Sequence, residues 1–285
     1  MNTLNGKVAF ITGARRGIGG AIAKRFAAEG ACVVMGASGI SNSGGGTGPD
    51  IGEAVETINQ SGGKAAFVVA DLSRESERAD LITRAQEHFG PLDILVNNAA
   101  AADMILPSLA SVKQRNTMYD LNLNAPIDLA QQVLPGMRER KAGWILNISS
   151  SSAQQPVVPY PYSPIAAHVI GPYGATKAAL DRYTEALAHE VAADSVFINT
   201  LAPESIVLTS GAEFVRDIAR KRPDMLEPVE MMAEAALALC SHSITGQVCY
   251  SRQVLHMLNL PLKTLDGRST MGDALFEADA EAPGC

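Results

Sequence analysis

Short apolar runs alternate with longer helical runs along the chain, and this alternation limits the folds that it can adopt. The apolar runs are continuous, which is typical of strands covered on both faces. The segments between them show apolar residues at helical spacing, and several end at glycine. The pattern predicts strands at 7–12, 31–36, 64–70, 92–98, 143–149, 195–201 and 247–251. It predicts helices at 17–30, 51–62, 76–90, 123–140 and 173–193.

This order of elements predicts an α/β fold, with a parallel, doubly wound seven-stranded sheet and helices on both faces in a Rossmann-like arrangement. We expect a single domain at 1–251, which includes a proline-rich insert at 151–172. Residues 252–285 are expected to form a C-terminal tail whose first part docks on the domain and whose last ten residues are loose. The Gly/Ser-rich segment 37–50 is expected to be a mobile loop.

Composition excludes several classes of protein. The 285 residues are 47% hydrophobic and 19% charged, as in a globular protein with a core. The formal net charge of −7, without a basic block, argues against nucleic-acid and anionic-membrane partners. No apolar run is long enough to span a membrane, and the start does not resemble a secretory signal. The four scattered cysteines have no metal spacing and fit a reducing, cytoplasmic setting.

A glycine-rich loop, TGARRGIGG at 12–20, follows the first predicted strand and precedes a helix. Its glycines Gly13, Gly17 and Gly19 would let the backbone approach a pyrophosphate, and the helix N-terminus would supply free N–H groups. An ordinary glycine-rich strand-to-helix turn is the alternative. The position of the loop in the predicted fold favours dinucleotide binding.

The residues around this loop favour NADP over NAD. The second predicted strand ends in Gly36-Ala37-Ser38, where an NAD site usually carries a carboxylate. Arg16, and with it Arg15, is able to pair with a 2′-phosphate. Two alternatives remain open: the arginines are only solvated, or the 37–50 loop brings Asp50 to the site.

Tyr173 and Lys177 lie four residues apart in a predicted helix, so they share one helix face. The pKa of a free tyrosine is about 10, and a nearby ammonium would favour the phenolate. The spacing therefore predicts an acid–base pair in which Lys177 lowers the pKa of Tyr173, although an exposed surface pair has the same spacing.

The sequence resembles the short-chain dehydrogenase/reductase family over residues 5–250, through TGARRGIG at 12–19, NNA at 97–99 and YGATK at 173–177. The resemblance implies that the catalytic residues are Asn122, Ser150, Tyr173 and Lys177. It also implies that the cofactor is bound by Gly13, Arg15, Arg16, Gly17, Ile18, Gly19, Ser38, Asp71, Leu72, Asn98, Ala99, Tyr173, Lys177, Pro203 and Thr209.

The resemblance implies a role for each catalytic residue. Tyr173 exchanges a proton with the substrate oxygen, and Lys177 and the oxidised nicotinamide stabilise its phenolate. Ser150 donates to the substrate oxygen, although neighbouring serines leave its register open by one or two positions. Asn122 holds a water that links Lys177 to solvent, with a helix N-cap as the alternative.

The sequence departs from the family pattern at several positions. Ala100 replaces a glycine after NNA, Glu204 replaces the glycine of a Pro-Gly pair, and no Asp-Gly-Gly follows the last strand. The interval between Ser150 and Tyr173 is long because of the insert. Its apolar residues are expected to wall a pocket for a bulky or ring-containing carbonyl or alcohol, or else to form a flap against a neighbouring subunit.

The sequence thus predicts an NADP-preferring enzyme that interconverts a carbonyl and a secondary alcohol, with NAD possible as cofactor and no metal. Two alternatives use the same fold: a non-catalytic NAD(P)-sensing protein, and a non-redox member such as a dehydratase or epimerase. By family analogy, the long helices at 123–140 and 173–193 make a homodimer or homotetramer plausible.

Overall fold

The computed structural model describes residues 2–40, 49–154, 170–209, 216–221 and 223–272. The strands are β1 Val8–Ile11, β2 Cys32–Ala37, β3 Lys64–Val69, β4 Ile94–Asn97, β5 Gly143–Ile148, β6 Val196–Ala202 and β7 Val248–Tyr250. They form one sheet in the order β3-β2-β1-β4-β5-β6-β7, and every neighbouring pair is parallel. Each predicted apolar run overlaps one of these strands, and the predicted fold class is confirmed.

The central strands are buried because helices cover both faces of the sheet. Every residue of β1 and of β4 is buried. Successive side chains of a strand point to opposite faces, so Phe10 and Ile11 of β1 belong to two different apolar cores. A continuous apolar run is therefore what this sheet requires.

Helices precede or follow most of the strands. They are α1 Gly17–Ala28, α2 Ile51–Gln60, α3 Glu75–Arg78, α4 Leu81–Phe89, α5 Val112–Tyr119, α6 Ala125–Arg140, α7 Gly171–Glu190, α8 Arg216–Lys221, α9 Val229–Leu239 and α10 Ser251–Leu258. Phe26 of α1 and Met231 of α9 pack in the core on one face of the sheet. Leu81 of α4, Leu129 of α6 and Leu187 of α7 pack in the core on the other face.

The structure differs from the predicted helices in three places. The helix predicted at 76–90 is divided into α3 and α4, which are separated at Ala79 and Asp80. Helices α5, α8, α9 and α10 were not predicted. A π-helical turn at Asp120–Asn124 joins α5 to α6, so the chain is helical before the predicted start at 123.

The described part of the tail packs against the domain. Arg25 of α1 is buried and donates from Nε to Glu234 Oε2 at 2.7 Å and from Nη1 to Glu29 Oε1 at 2.8 Å. Gly267 lies beside this guanidinium with a φ of +70°, and a Cβ there would lie 2.9 Å from Arg25 Nη1. Leu262 is also buried. Residues 273–285 lie outside the described residues.

Two predicted irregular segments are only partly described. Residues 41–48 of the Gly/Ser-rich segment and 155–169 of the insert lie outside the described residues. The insert begins with a 3₁₀ turn at Ser151–Gln154 and ends inside α7, where Gly171 and Pro172 form the first turn. Proline is tolerated there because the first helical N–H groups have no partner in the helix. Among the described helices, none is long and apolar enough to cross a membrane.

Candidate active site

The predicted site residues lie at the carboxyl ends of the central strands. The glycine loop follows β1, Asn98 and Ala99 follow β4, and Ser150 follows β5. Thr209 lies in the segment after β6. In an open parallel sheet this edge is where ligands bind, at the point where strand order reverses, and here β1 and β4 are the central neighbours.

Asn98 and Thr12 hold the glycine loop to the end of β4. The backbone N–H groups of Asn98 and Ala99 each donate to Thr12 Oγ1 at 3.0 Å. Asn98 Nδ2 donates to the carbonyl oxygens of Thr12 at 2.9 Å and Gly13 at 3.2 Å. The Asn98 side chain therefore fixes the loop geometry, and its contact with a cofactor stays a prediction.

Two glycines are required by this packing. Gly13 has a φ of +65°, and a Cβ there would lie 2.9 Å from Asn98 Nδ2. A Cβ on Gly19 would lie 2.6 Å from the Gly13 carbonyl oxygen. Both distances are shorter than real Cβ contacts allow, so side chains at either position would open the loop.

The segment after β6 lies against the glycine loop. Gly17 has a φ of +62°, and a Cβ there would lie 3.5 Å from Thr209 Cβ. Thr209 is partly buried, as are Pro203 and Ile18. The structure thus brings Thr209 to the first turn of α1, on the pyrophosphate side of the predicted site.

The N-terminus of α1 is suited to an anion. Arg16 is the N-cap residue, and its side chain makes no capping hydrogen bond. The first N–H groups of such a helix and its dipole favour negative charge. Arg15, Arg16 and Lys24 border a cavity of about 320 Å³ that extends to Thr209 and to Leu265 of the tail.

The end of β2 carries no carboxylate. Ser38 follows β2 and is exposed. Asp50 has a different task, because it caps α2 by accepting a hydrogen bond from Glu53 N at 2.7 Å. The adjacent Pro49 borders the same cavity as the two arginines.

Asp71 and Leu72 follow β3. Asp71 Oδ1 accepts hydrogen bonds from Ser73 N at 3.1 Å and Ser73 Oγ at 2.7 Å. Its other oxygen lies 3.3 Å from Arg74 Nε. Leu72 is buried in the core beneath α4. The Asp71 side chain is therefore oriented by its own turn.

Asn122 is fully buried in the π-helical turn. Its Oδ1 accepts from Ala101 N at 2.8 Å, and its Nδ2 donates to Ala101 O at 2.8 Å and to Thr176 Oγ1 at 3.0 Å. The side chain thus joins the segment after β4 to α7. It is not a helix N-cap, and its amide group is occupied by these bonds.

Ser150 and Tyr173 form the centre of the site. Tyr173 is partly buried; the Ser150 hydroxyl lowers the pKa of its phenol, while loss of solvent raises it more, to about 12. Ser150 Oγ also accepts from Ser152 Oγ at 2.9 Å and Ser152 N at 3.2 Å. Ser149 points elsewhere, towards Asp181, so Ser150 is the serine directed at the phenol.

Lys177 lies one helical turn below Tyr173 and is 2% exposed. Its Nζ donates to the Ile148 carbonyl at 2.7 Å and lies 5.8 Å from the centre of the Tyr173 ring. Burial lowers the pKa of Lys177 to about 8, and the negative charge of Asp181 opposes this effect.

The pKa of Tyr173 in this structure therefore differs from the expected lowering. Loss of water from around the phenol outweighs the lowering effect of the Ser150 hydroxyl. The Lys177 ammonium is directed to the end of β5 rather than to the phenol oxygen. A phenol with a pKa of about 12 is almost entirely protonated near neutral pH.

Asp181 is a site neighbour that the sequence analysis missed. It lies four residues after Lys177, which itself lies four residues after Tyr173, so all three share one face of α7. It is 8% exposed and is coupled to the lysine charge. The repeated spacing of four was the available signal.

A second buried carboxylate, Glu227, lies near Glu204, the residue that replaces the glycine of the family's Pro-Gly pair. Glu204 is half exposed, with an oxygen 3.8 Å from Arg252 Nη1. Next to it, Glu227 accepts hydrogen bonds from Ser251 Oγ at 2.8 Å and Ser205 N at 3.2 Å. Burial raises the pKa of Glu227 to about 7. This carboxylate anchors the segment after β6.

The fold is a doubly wound parallel sheet with a glycine loop at its central edge. Together with the serine, tyrosine and lysine of the site, it is typical of nucleotide-dependent oxidoreductases. A family model described as short chain dehydrogenase matches residues 7–218. The chain belongs to the short-chain dehydrogenase/reductase family and is an NAD(P)-dependent oxidoreductase.

Relatives extend over nearly the whole chain. A short chain dehydrogenase of Pseudocercospora fijiensis is 30% identical over 289 residues, covering 99% of this chain and 86% of the relative. A 3-oxoacyl (acyl-carrier-protein) reductase from Agrobacterium tumefaciens C58, solved with NADP bound, is 31% identical with a TM-score of 0.72, covering 87% of this chain and 93% of that one. A 7α-hydroxysteroid dehydrogenase, solved with NADH and 7-oxo glycochenodeoxycholic acid, is 29% identical with a TM-score of 0.75, covering 87% and 94%.

Proposed function

We propose that the protein is an NADP-preferring oxidoreductase that interconverts a carbonyl and a secondary alcohol, with Tyr173 as the acid and base. The observation that carries this proposal is the position of Tyr173 beside the Ser150 hydroxyl and 5.8 Å, measured at its ring centre, from the buried Lys177 amine. A donor and an acid that meet at one point can bind and protonate a single substrate oxygen.

The residues divide the chemistry between them. In the reducing direction Tyr173 donates its proton to the substrate oxygen, while Ser150 donates a hydrogen bond to the same atom. Lys177 holds a positive charge beneath the phenol and favours its charged form. When bound, the nicotinamide cofactor supplies or accepts the hydride, and its oxidised ring adds positive charge beside Tyr173.

The residues of the loop fit a dinucleotide. Gly13 and Gly19 keep the backbone free of side chains, and no side chain caps α1. The N–H groups of that helix would hold the pyrophosphate. Asp71 and Leu72 would lie against the adenine, and Thr209 beside the pyrophosphate.

The preference for NADP rests on charge. Arg15 and Arg16 stand beside the loop, Ser38 adds no negative charge, and the Asp50 carboxylate is used in capping α2. We expect NADPH to bind at least about tenfold more tightly than NADH. Arg16→Gln would remove most of this difference, and an unchanged ratio of the two dissociation constants would show that the arginine does not read the 2′-phosphate.

For the substrate we propose an apolar or ring-containing carbonyl or alcohol. The relative solved with a 7-oxo bile acid supports this class. The insert residues predicted to wall the pocket, Val157, Val158, Tyr160, Tyr162, Ile165 and His168, lie outside the described residues. We also propose a homodimer or homotetramer through α6 and α7, which light scattering on the purified protein would test.

The test is NADPH oxidation with a panel of aliphatic, cyclic and steroidal ketones. Tyr173→Phe removes only the hydroxyl and should lower kcat by at least about 100-fold on every ketone that the wild type reduces. Tyr183→Phe is the matched control, because Tyr183 lies in the same helix outside the site and should keep wild-type rates. Equal rates for wild type and Tyr173→Phe would remove the proposed mechanism.

A further inference from the structure

Asp181 continues the line of site residues along α7 into the protein interior. Buried positions of this helix include Lys177, Asp181 and Thr184, which repeat at three and four residues. A buried carboxylate is costly unless other groups compensate its charge. The groups that surround Asp181 therefore indicate what its charge is used for.

Two strands present hydroxyl groups to this carboxylate. Ser149 follows β5 and Thr200 lies in β6, and these strands pair so that Ile148 is opposite Leu201. Both hydroxyls are buried, and both lower the pKa of Asp181, opposing the increase caused by burial. Among the described residues, Ser149 Oγ, Thr200 Oγ1 and Asp181 Oδ1 close no hydrogen bond of good geometry. The two hydroxyls thus favour the charged carboxylate, although burial still raises the pKa of Asp181 above its ordinary value.

The opposite charge comes from Lys177, one helical turn before Asp181 and also buried. Lys177 lowers the pKa of Asp181, and Asp181 raises the pKa of Lys177. The other titratable groups that act on Asp181 or respond to it are Glu185 on the same helix and Tyr250 at the end of β7. Glu185 is partly exposed and pairs with Arg182 at 3.3 Å. Lys177 is therefore the buried cation that the Asp181 charge serves.

We propose that Asp181 is a positioning residue whose buried carboxylate keeps Lys177 in its ammonium form beneath Tyr173. This inference rests on the proposed function, because it assigns a purpose to the charge on Lys177. Without Asp181, burial alone acts on the lysine, and a larger fraction of it is neutral at the pH of turnover. A neutral amine still donates to Ile148 O but no longer favours the phenolate.

A purely structural role would give a different result. If Asp181 only fixed α7 to the sheet, its replacement would lower stability without changing the titration of Lys177. The titration of the lysine is therefore the readout that separates the two roles.

The experiment uses the full chain with ¹³C-labelled lysine, followed by NMR across pH. The Lys177 resonance is assigned by its loss in Lys177→Met. We expect Asp181→Asn, which keeps the shape of the side chain, to lower the pKa of Lys177 by roughly half a unit or more. The control Glu185→Gln removes a partly exposed charge from the same helix and should leave it close to the wild-type value. An unchanged Lys177 titration in Asp181→Asn would overturn the inference.

A milder variant covers the case in which Asp181→Asn does not fold. Ser149→Ala removes one hydroxyl that favours the Asp181 carboxylate and should lower the pKa of Lys177 in the same direction by a smaller amount. An unchanged or higher value in Ser149→Ala would also count against the inference.

The outcome is separable from that of the proposed function, because the titration needs no substrate. If Tyr173→Phe keeps full activity while Asp181→Asn shifts Lys177, the catalytic proposal fails and the electrostatic coupling stands. If Tyr173→Phe is inactive and Asp181→Asn leaves Lys177 unchanged, the catalytic proposal stands and Asp181 has no positioning role.

Discussion

The Lys177 amine donates a hydrogen bond to the Ile148 carbonyl at 2.7 Å. This contact joins α7, which carries Tyr173, to the end of β5, which precedes Ser150. Ser150 follows Ile148 by two residues, and Tyr173 precedes Lys177 by one turn. One buried side chain therefore sets the spacing between the two groups that would meet the substrate oxygen.

Replacement of Lys177 by methionine should distinguish the effect of its charge from the effect of its volume. Lys177→Met keeps a long side chain in the buried position but removes the ammonium, and we expect kcat to fall by about 100-fold or more. Steady-state NADPH oxidation measures the loss. Lys64→Met at the exposed start of β3 is the control, and a comparable loss there would point to a general effect on folding.

Asn122→Ala should be more damaging to stability than its size implies. It leaves the N–H and C=O groups of Ala101 without their buried partners, so we expect a loss of about 2 kcal/mol in the free energy of unfolding. Urea denaturation measures this loss. Asn124→Ala removes only an exposed bond to Asp120 and should cost much less; equal losses would show that the buried bonds contribute little.

Gly19→Ala should weaken NADPH binding by at least about tenfold, because the added methyl would collide with the Gly13 carbonyl oxygen and displace the loop. Fluorescence titration of bound NADPH measures the affinity. Gly136→Ala is the control, since it lies inside α6, where a Cβ meets only the flexible Arg140 side chain. It should leave binding unchanged and raise stability by roughly 0.5–1 kcal/mol. Wild-type affinity in Gly19→Ala would contradict the geometry of the loop.

Glu227 should make stability depend on pH. Burial raises its pKa from 4.5 to about 7, so between these values the folded state binds more protons than the unfolded state. Its contribution to stability is present below pH 4.5 and is lost as the pH rises towards 7. Glu227→Gln should therefore be more stable than wild type at pH 8, by on the order of 2 kcal/mol, and similar to it near pH 4.5.

Denaturant unfolding at the two pH values measures this difference. Glu230→Gln, on the first turn of α9, is the matched control and should show no such dependence. A Glu227→Gln variant that is less stable than wild type at pH 8 would mean that the anionic hydrogen bonds outweigh the cost of burying the charge.

The sheet was predictable because each of its strands is a continuous apolar run. The position of the site at the carboxyl ends of the central strands was predictable from the order of the strands. The helix α9 was not predictable by the same means. All its residues from Met231 to Leu239 are buried, so no polar stripe marks its period. The division of the 76–90 helix at Ala79 and Asp80 likewise has no glycine or proline to signal it.

The chemical groups of the site were predictable from spacing and resemblance, but their contacts were not. The bonds from Asn98 to the glycine loop depend on how β1 and β4 meet across 86 residues of sequence. Asp181 was missed because a charged residue on a helix is ordinarily assigned to the solvated face. Its polar neighbours Ser149 and Thr200 lie far from it in sequence and reach it only in the folded sheet.

The central claim is that positive charge beside Tyr173 makes its hydroxyl acidic enough to exchange a proton near neutral pH. The most direct measurement is the ultraviolet absorbance of tyrosinate across pH, taken as wild type minus Tyr173→Phe, with and without NADP⁺. We expect the Tyr173 titration to lie near the pKa of about 12 in the free protein and to move well below 10 when NADP⁺ binds. If the pKa of Tyr173 is the same in the protein saturated with NADP⁺ as in the free protein, the claim is contradicted.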